Sequence, residues 1–184
     1  MIKIWDPSRI SKSPAIFDPL KLRAINAAYI RALPAEEFRR LADPFIDSAV
    51  HCDIDRDLLC ANLQPRCEVL EDIPPQLDFF DAVLPIDAEM YRNKKQKTTP
   101  ESAKEALTAL LPVLEAQADW TRDAIFEACK ALAEQMEKKN GWLLFPLGIA
   151  LSGKARTPGG GTDLAAMMGK PETLKRVKEA LEKL

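Results

Sequence analysis

Residues 99–116 read Thr-Pro-Glu-Ser-Ala-Lys-Glu-Ala-Leu-Thr-Ala-Leu-Leu-Pro-Val-Leu-Glu-Ala, which is the clearest secondary-structure signal in the chain. Thr99 followed by Pro100 is typical of a helix start, because threonine can cap free N–H groups and proline is preorganised for the first helical position. Leucines then recur at the spacing of one helix face, at Leu107, Leu110, Leu111 and Leu114. The stretch therefore predicts an amphipathic α-helix.

The same signals recur towards the N-terminus. Asp18-Pro19 repeats the capping signature, and Pro34 starts a second helix. A third helical region covers about 55–70 and is interrupted at Pro65, because proline lacks an N–H and clashes with the preceding turn. Apolar residues share one face of the first helix at Leu22, Ile25 and Tyr29, and of the second at Phe38, Leu41 and Ala42.

Helical patterns also fill the C-terminal part. Thr121 can cap a helix that we expect to end at Asn140-Gly141. Residues 142–151 are nearly all apolar and should be buried, and a Gly/Pro-rich loop follows at 153–161. A short helix should end at Gly169 before the last helix begins. Since no stretch alternates apolar and polar residues over a useful length, the sequence predicts an all-α fold.

Composition limits the class of protein. The chain has 184 residues, 47% of them hydrophobic and 29% charged, which suits one globular domain or two small helical ones. No run approaches the roughly 18 apolar residues of a membrane-spanning helix. The first residues lack the apolar core of a signal peptide. We therefore expect a soluble cytoplasmic protein with no membrane partner.

The cysteines and the single histidine give little support for a metal site. No two cysteines form a CxxC pair, and the only histidine is His51. We expect free, partly buried thiols in a reducing compartment. The four cysteines are Cys52, Cys60, Cys67 and Cys129.

Two features suggest catalysis, but both have simpler explanations. His51 lies in Val-His-Cys-Asp, which matches no nucleophile or metal motif, so a surface or capping histidine is the better interpretation. Residues 159–162 read Gly-Gly-Gly-Thr before a helix but lack the GxxxxGK[ST] pattern of a phosphate-binding loop. A tight turn into a helix explains them.

Positive charge is local rather than global. The net charge of −2 counts mildly against nucleic-acid binding. However, the basic run at 92–99 resembles a linker between subdomains, Lys154 and Arg156 are close neighbours, and Arg66 follows the helix-breaking proline. Arginines at helix breaks can bind splayed-out RNA bases. From the residues alone, RNA binding and a helical protein-interaction module both remain open.

The segment 11–23, Ser-Lys-Ser-Pro-Ala-Ile-Phe-Asp-Pro-Leu-Lys-Leu-Arg, resembles the one that follows the catalytic part of bacterial glutamyl-tRNA synthetases. Ile10-Ser11-Lys12-Ser13 is also similar to the end of a class I synthetase KMSKS loop, although a capping or linker segment explains it as well. The likeness to the synthetase family continues, in family order, at Asn26, Tyr29-Ile30-Arg31, Asp119-Trp120-Thr121, Pro146-Leu147, Ala150-Leu151-Ser152-Gly153, Thr157-Pro158-Gly159 and Gly169-Lys170.

The resemblance implies an architecture and a role. Residues 1–33 would end the stem-contact region, and 34–95 and 96–184 would form two helical subdomains that enclose the anticodon loop. Enzymes of this family join glutamate to tRNA with ATP and magnesium, in an N-terminal nucleotide-binding fold. This chain would hold neither that active site nor those cofactors. Its expected partners are tRNA(Glu) or also tRNA(Gln), together with the catalytic domain, and we expect a monomer.

Individual site residues follow from the resemblance. Pro65-Arg66 matches a family Pro-Arg whose arginine helps to read the last anticodon base. Thr157 lies in the family's TPG loop near the anticodon, and Lys21 matches a lysine near the tRNA stem. Lys154 and Arg156, on the same loop as Thr157, are further candidates for anticodon contacts.

The sequence also departs from the family pattern. Ala24 replaces the usual tryptophan after Lys-Leu-Arg. Phe145-Pro146-Leu147-Gly148 stands where the family often has Gln-Pro-Leu-Arg, with both polar residues facing the anticodon. We hypothesise that Arg156 or Lys154 supplies the missing charge. A scaffold without RNA binding is the main alternative; an independent small enzyme lacks an identifiable site.

Overall fold

A computed structural model describes residue 6 and residues 17–184. The described part is all-α, as predicted, and contains no β-strand. Short 3-10 helices lie between α3 and α4. The first, Gln64–Arg66, contains Pro65 and replaces the α-helix there, which confirms the predicted interruption. The α-helices are α1 (Pro19–Ala32), α2 (Ala35–Asp47), α3 (Arg56–Leu63), α4 (Pro100–Ala116), α5 (Arg122–Gln135), α6 (Asn140–Ser152) and α7 (Gly161–Lys183).

The predicted helix starts at Asp18 and Thr99 are confirmed by their capping bonds. Asp18 Oδ1 accepts hydrogen bonds from the backbone N–H groups of Leu20 at 3.0 Å and Lys21 at 3.2 Å. Thr99 and Ser102 form a reciprocal capping box at the start of α4. These bonds satisfy N–H groups that have no partner within the helix.

The predicted end of α5 is wrong. The helix ends at Gln135, and Asn140-Gly141 begins α6. The break comes from Glu137, which takes a left-handed conformation with φ of 55°. The backbone N–H of Lys138 then donates to Ala133 O at 2.8 Å, which closes the helix end without a glycine.

Gly169 interrupts α7, as the sequence predicts. Its φ of 77° lies in the left-handed region that favours glycine, and helical structure resumes directly afterwards. Lys170 then donates from Nζ to the carbonyls of Glu115 and Gln117, both at 2.7 Å. The turn therefore fixes the second half of α7 against the C-terminal end of α4.

One continuous core joins α1 to α7. It extends from the buried Ile30 in α1 to Ala180 at the C-terminal end of α7. Helices α6 and α7 pack closely against each other, and both contact α4 and α5. The apolar stretch 142–151 lies in α6 and is mostly buried, as predicted. Burial of apolar area of this kind is the main stabilising contribution to a domain.

Helix α1 presents its apolar face to solvent. Leu22, Ile25 and Tyr29 share a face as predicted, but that face is 52%, 48% and 74% exposed. The helix packs through Ile30 instead, and Gln64 Nε2 donates to the carbonyl of Ile30 at 3.1 Å. Among the described helices, none is long and apolar enough to cross a membrane.

Candidate nucleic-acid interface

An open cleft of about 660 Å³ lies where the 64–76 region meets α6 and the start of α7. Four of the five predicted site residues line it. They are Arg66, Lys154, Arg156 and Thr157. The volume falls within the range of about 300–1,000 Å³ that is usual for ligand sites.

Arg66 connects the two sides of this cleft. Pro65 ends regular helical structure, so the short 3-10 helix presents Arg66 outward. One guanidinium N–H donates to Pro158 O at 2.8 Å on the opposite loop. Arg66 has no carboxylate partner in the described part of the chain, which leaves most of its donors available to a ligand.

The loop 153–160 forms the opposite side. Gly153 turns the chain with φ of 68°, and a Cβ there would lie 2.7 Å from Leu84 O, so a larger residue would clash. Lys154 Nζ donates to Pro75 O at 2.8 Å and pairs with Asp78. Arg156 is exposed and has no ion-pair partner among the described residues. The loop therefore presents one anchored cation and one free cation.

The TPG segment of this loop is held by its own hydrogen bonds. Thr157 Oγ1 donates to Gly159 O at 2.5 Å. The backbone N–H of Gly160 donates to Asp163 Oδ2 at 2.7 Å, and the other oxygen of Asp163 pairs with Arg122 at 3.1 Å. These bonds preorganise the loop at the start of α7. The hydroxyl of Thr157 is committed as a donor but can still accept.

Sequence reasoning missed two glutamines of the cleft and identified Phe145 only as a departure from the family pattern. Gln76, Gln96 and the half-buried Phe145 all line the cleft. The 92–99 run, which the sequence suggests as a linker, forms a compact turn closed by the Asn93–Thr98 bridge. The turn carries Gln96 over Gly141, where a Cβ would come within 1.8 Å of Gln96 Oε1.

Lys21 does not belong to the cleft. It is exposed on α1 and does not line the cleft. The KMSKS-like segment Ile10-Ser11-Lys12-Ser13 and residues 11–16 of the family-like stretch lie outside the described residues. The anticodon candidates therefore converge, whereas the stem-contact candidate lies elsewhere.

His51 has a partner that the sequence did not predict. Its Nδ1 lies 2.6 Å from Asp81 Oδ2, and Asp81 Oδ1 accepts the backbone N–H groups of His51 and Cys52. These hydrogen bonds hold the pKa of Asp81 well below its usual range. Burial raises the pKa of the neighbouring Cys52 thiol, which therefore stays protonated at neutral pH. The group is a polar turn without an activated nucleophile.

The cysteines are free, as predicted, and three of the four are buried. Burial raises the pKa of Cys60 and Cys67 to about 11 and that of Cys129 to about 12. Within the described residues, no cluster of three or more histidine, cysteine or acidic side chains could hold a metal ion.

The protein is an all-α domain, and its cleft is preorganised and lined by cationic side chains. The family described as "Anticodon binding domain" matches residues 23–181, so the chain belongs to the anticodon-binding domain family, and within it to the type found in glutamate–tRNA ligases. The match confirms the resemblance that the sequence suggested.

Relatives and solved structures agree with this assignment. The chain is 43% identical over 184 residues to a glutamate–tRNA ligase of Clostridium botulinum and 40% identical over 185 residues to that of Clostridium acetobutylicum. It is covered completely in both and spans 38% of each relative's length, at the C-terminal end. A glutamate tRNA ligase from Elizabethkingia meningosepticum superposes with a TM-score of 0.83 and 25% identity, covering 100% of this chain and 36% of that one.

Proposed function

We propose that this domain recognises the anticodon loop of tRNA(Glu) for a glutamate–tRNA ligase. The observation that carries the proposal is the convergence of Arg66, Lys154, Arg156 and Thr157 on one cleft, although they come from segments about ninety residues apart. Membership of the anticodon-binding family and similarity to glutamate–tRNA ligases support it.

The cleft has the chemistry that unpaired RNA bases require. A base turned out of the loop can stack on the half-buried Phe145 and accept hydrogen bonds from Arg66. Arg156 can approach the backbone phosphates, and the amides of Gln76 and Gln96 can both donate and accept. Since Pro158 O already holds Arg66, little side-chain entropy is lost on binding.

Other parts of the ligase would supply the chemistry. The chain spans 38% of its relatives' length, and we propose that binding of ATP and magnesium belongs to a catalytic domain. The exposed apolar face of α1 is suited to packing against such a domain, and Lys21 on the same helix would approach the tRNA stem. We propose a cytoplasmic monomer.

Choice between tRNA(Glu) and tRNA(Gln) would depend on Arg66. Phe145 and Gly148 stand where the family often has glutamine and arginine, and both line the cleft. We propose that Arg156 supplies the missing positive charge, because it is exposed and lacks an ion-pair partner among the described residues. If Arg156→Ala and Lys154→Ala left binding of the anticodon loop unchanged, this compensation would be excluded.

The test is a titration of the whole chain with the anticodon stem-loops of tRNA(Glu) and tRNA(Gln). We expect tighter, salt-sensitive binding to the glutamate loop. Arg66→Ala should remove that preference, at about 1–3 kcal/mol per lost base contact. Lys104→Ala is the control, because Lys104 is also exposed and without an ion-pair partner in the described part, but it lies on α4 away from the cleft.

The outcomes separate the hypotheses. Equal binding of both loops would keep RNA recognition but remove Arg66 as the discriminating residue. No binding near ~1 mM, the weak end of useful affinity, would contradict anticodon recognition by this chain and favour the protein scaffold. Thermal unfolding of each variant must match the wild type, because Arg66 also holds Pro158 O.

A further inference from the structure

A second cavity, lined mainly by lysines, lies directly beside the cleft. It has a volume of about 340 Å³ and is formed by the 95–97 turn, residues 137–139 and the first turn of α6. We call it the lysine groove. Its cations are Lys95, Lys97, Lys138 and Lys139.

The positive charge of the lysine groove is only partly compensated, because four lysines face a single carboxylate. None of its four lysines has an ion-pair partner among the described residues, and Glu137 is the one acidic residue that lines it. Elsewhere on the surface, local pairing is common: Arg92 pairs with Glu89, and Lys130 with Glu127. Like charges held together repel one another, so a polyanion would relieve this repulsion on binding.

The floor of the lysine groove also favours anions. Helix α6 begins there at Asn140 without a side-chain cap and without an acidic residue in its first turn. The dipole of this helix adds positive potential to that of the lysines. Lys138 Nζ lies 5.3 Å from the centre of the Trp142 ring, which keeps this ammonium group over the groove.

The lysine groove adjoins the cleft, with Gln96 between them. Gln96 lines both cavities, and its side chain lies over Gly141, which also lines the cleft. A chain bound in the cleft can therefore pass over Gln96 into the groove. This adjacency favours one extended polyanion over a small free phosphate.

We propose that the lysine groove binds the RNA backbone that leads into or out of the cleft. The inference rests on the proposed anticodon recognition and extends it to the flanking phosphates. The groove would position the RNA without reading its sequence, because phosphate contacts are the same for every base.

The test is a salt titration of the whole chain, comparing wild type with Lys97→Gln/Lys139→Gln. The RNAs are the tRNA(Glu) anticodon stem-loop and the same hairpin with its three anticodon bases replaced. Removing two phosphate contacts should reduce the slope of log affinity against log salt by about 1.4, or 0.7 for each contact. With equal affinities of wild type and variant at about 1 M salt, this difference in slope predicts that the variant binds about 25-fold more weakly near ~0.1 M salt. The loss should be equal for both hairpins.

The matched control is Lys104→Gln/Lys183→Gln. It removes the same charge from two lysines that line neither cavity and have no ion-pair partner in the described part of the chain. If the groove variant lost no more affinity than this control, the groove proposal would be overturned while anticodon recognition stood. A larger loss on one hairpin would also overturn it, because it would indicate base reading. If the wild type bound neither hairpin, both proposals would fall.

Discussion

Arg176 is a buried cation that connects distant parts of this fold. Its side chain is 2% exposed and lies in the second half of α7. Nη1 donates to the carbonyls of Phe79 and Leu151, both at 2.7 Å, and Nη2 donates to Phe80 O at 2.6 Å. Nε pairs with Glu172 at 2.7 Å. One guanidinium thus satisfies backbone carbonyls of two segments that are distant in sequence, residues 79–80 and the C-terminal end of α6.

The first prediction concerns the loss of this arginine. Arg176→Met should lower the free energy of unfolding by about 3–5 kcal/mol, because three buried carbonyls and Glu172 lose their donor. Urea denaturation measures the effect. Lys175→Met, at the exposed neighbour, should change stability by less than about 0.5 kcal/mol. Equal effects of the two substitutions would refute the role of Arg176.

The second prediction is a substitution that should increase the free energy of unfolding. The hydroxyl of Tyr91 is buried without a hydrogen-bond partner among the described residues, and burial raises its pKa to about 12. Tyr91→Phe keeps the ring and removes the unsatisfied group, so stability should rise by about 1 kcal/mol. Thermal unfolding tests this, and a clear loss of stability would show that the hydroxyl has a partner in solution.

At the scale of elements, the contact between α6 and the start of α7 supports the cleft. Gly161 packs so closely that a Cβ would lie 2.7 Å from Leu144 O and 3.0 Å from Gly148 N. At Gly148, by contrast, the nearest atoms would be 3.8 Å away, an ordinary contact. The two glycines at this helix contact therefore differ: a Cβ fits at Gly148 but not at Gly161.

The third prediction follows from this difference. Gly161→Ala should force α6 and α7 apart and destabilise the domain by about 1–3 kcal/mol. Gly148→Ala should be neutral, or stabilising by up to about 1 kcal/mol, because alanine favours a helix interior. Denaturation of both variants checks the ranking. A neutral Gly161→Ala would mean that the two helices can separate at little cost.

At the scale of the molecule, hydrogen bonds from cationic side chains connect the two sides of the predicted boundary between 34–95 and 96–184. Arg66 reaches Pro158 O, Lys154 reaches Pro75 O and Arg176 reaches the carbonyls of 79–80. The backbone N–H of Asp55 also donates to Met167 O at 3.0 Å. The cleft lies at this boundary, so the proposed RNA-binding residues also join its two sides.

The fourth prediction concerns cooperativity. Since one core and these hydrogen bonds span the boundary, the chain should unfold in a single transition. Calorimetry should give equal calorimetric and van't Hoff enthalpies for the wild type. A calorimetric enthalpy well above the van't Hoff value would show that 34–95 and 96–184 unfold as separate units. The division into two subdomains itself stays a prediction.

Local signals in the sequence were sufficient for most helix boundaries. Asp18, Thr99 and Gly169 act through bonds and dihedral angles that involve their near neighbours only, so a single sequence reveals them. Prolines were less informative. Pro65 ends regular helix as expected, but Pro112 and Pro146 lie inside α4 and α6, where packing of each helix against the core outweighs one lost hydrogen bond.

Local patterns therefore specify the all-α class and most helix starts, and the family-like segments identify the candidate residues. Long-range packing determines which of these residues meet. It brought Arg66 to Pro158 and Gln96 to Gly141, left Lys21 elsewhere and exposed the apolar face of α1. Capping and periodicity act over a few residues, whereas a cleft depends on contacts between segments as much as 92 residues apart, which local patterns do not encode.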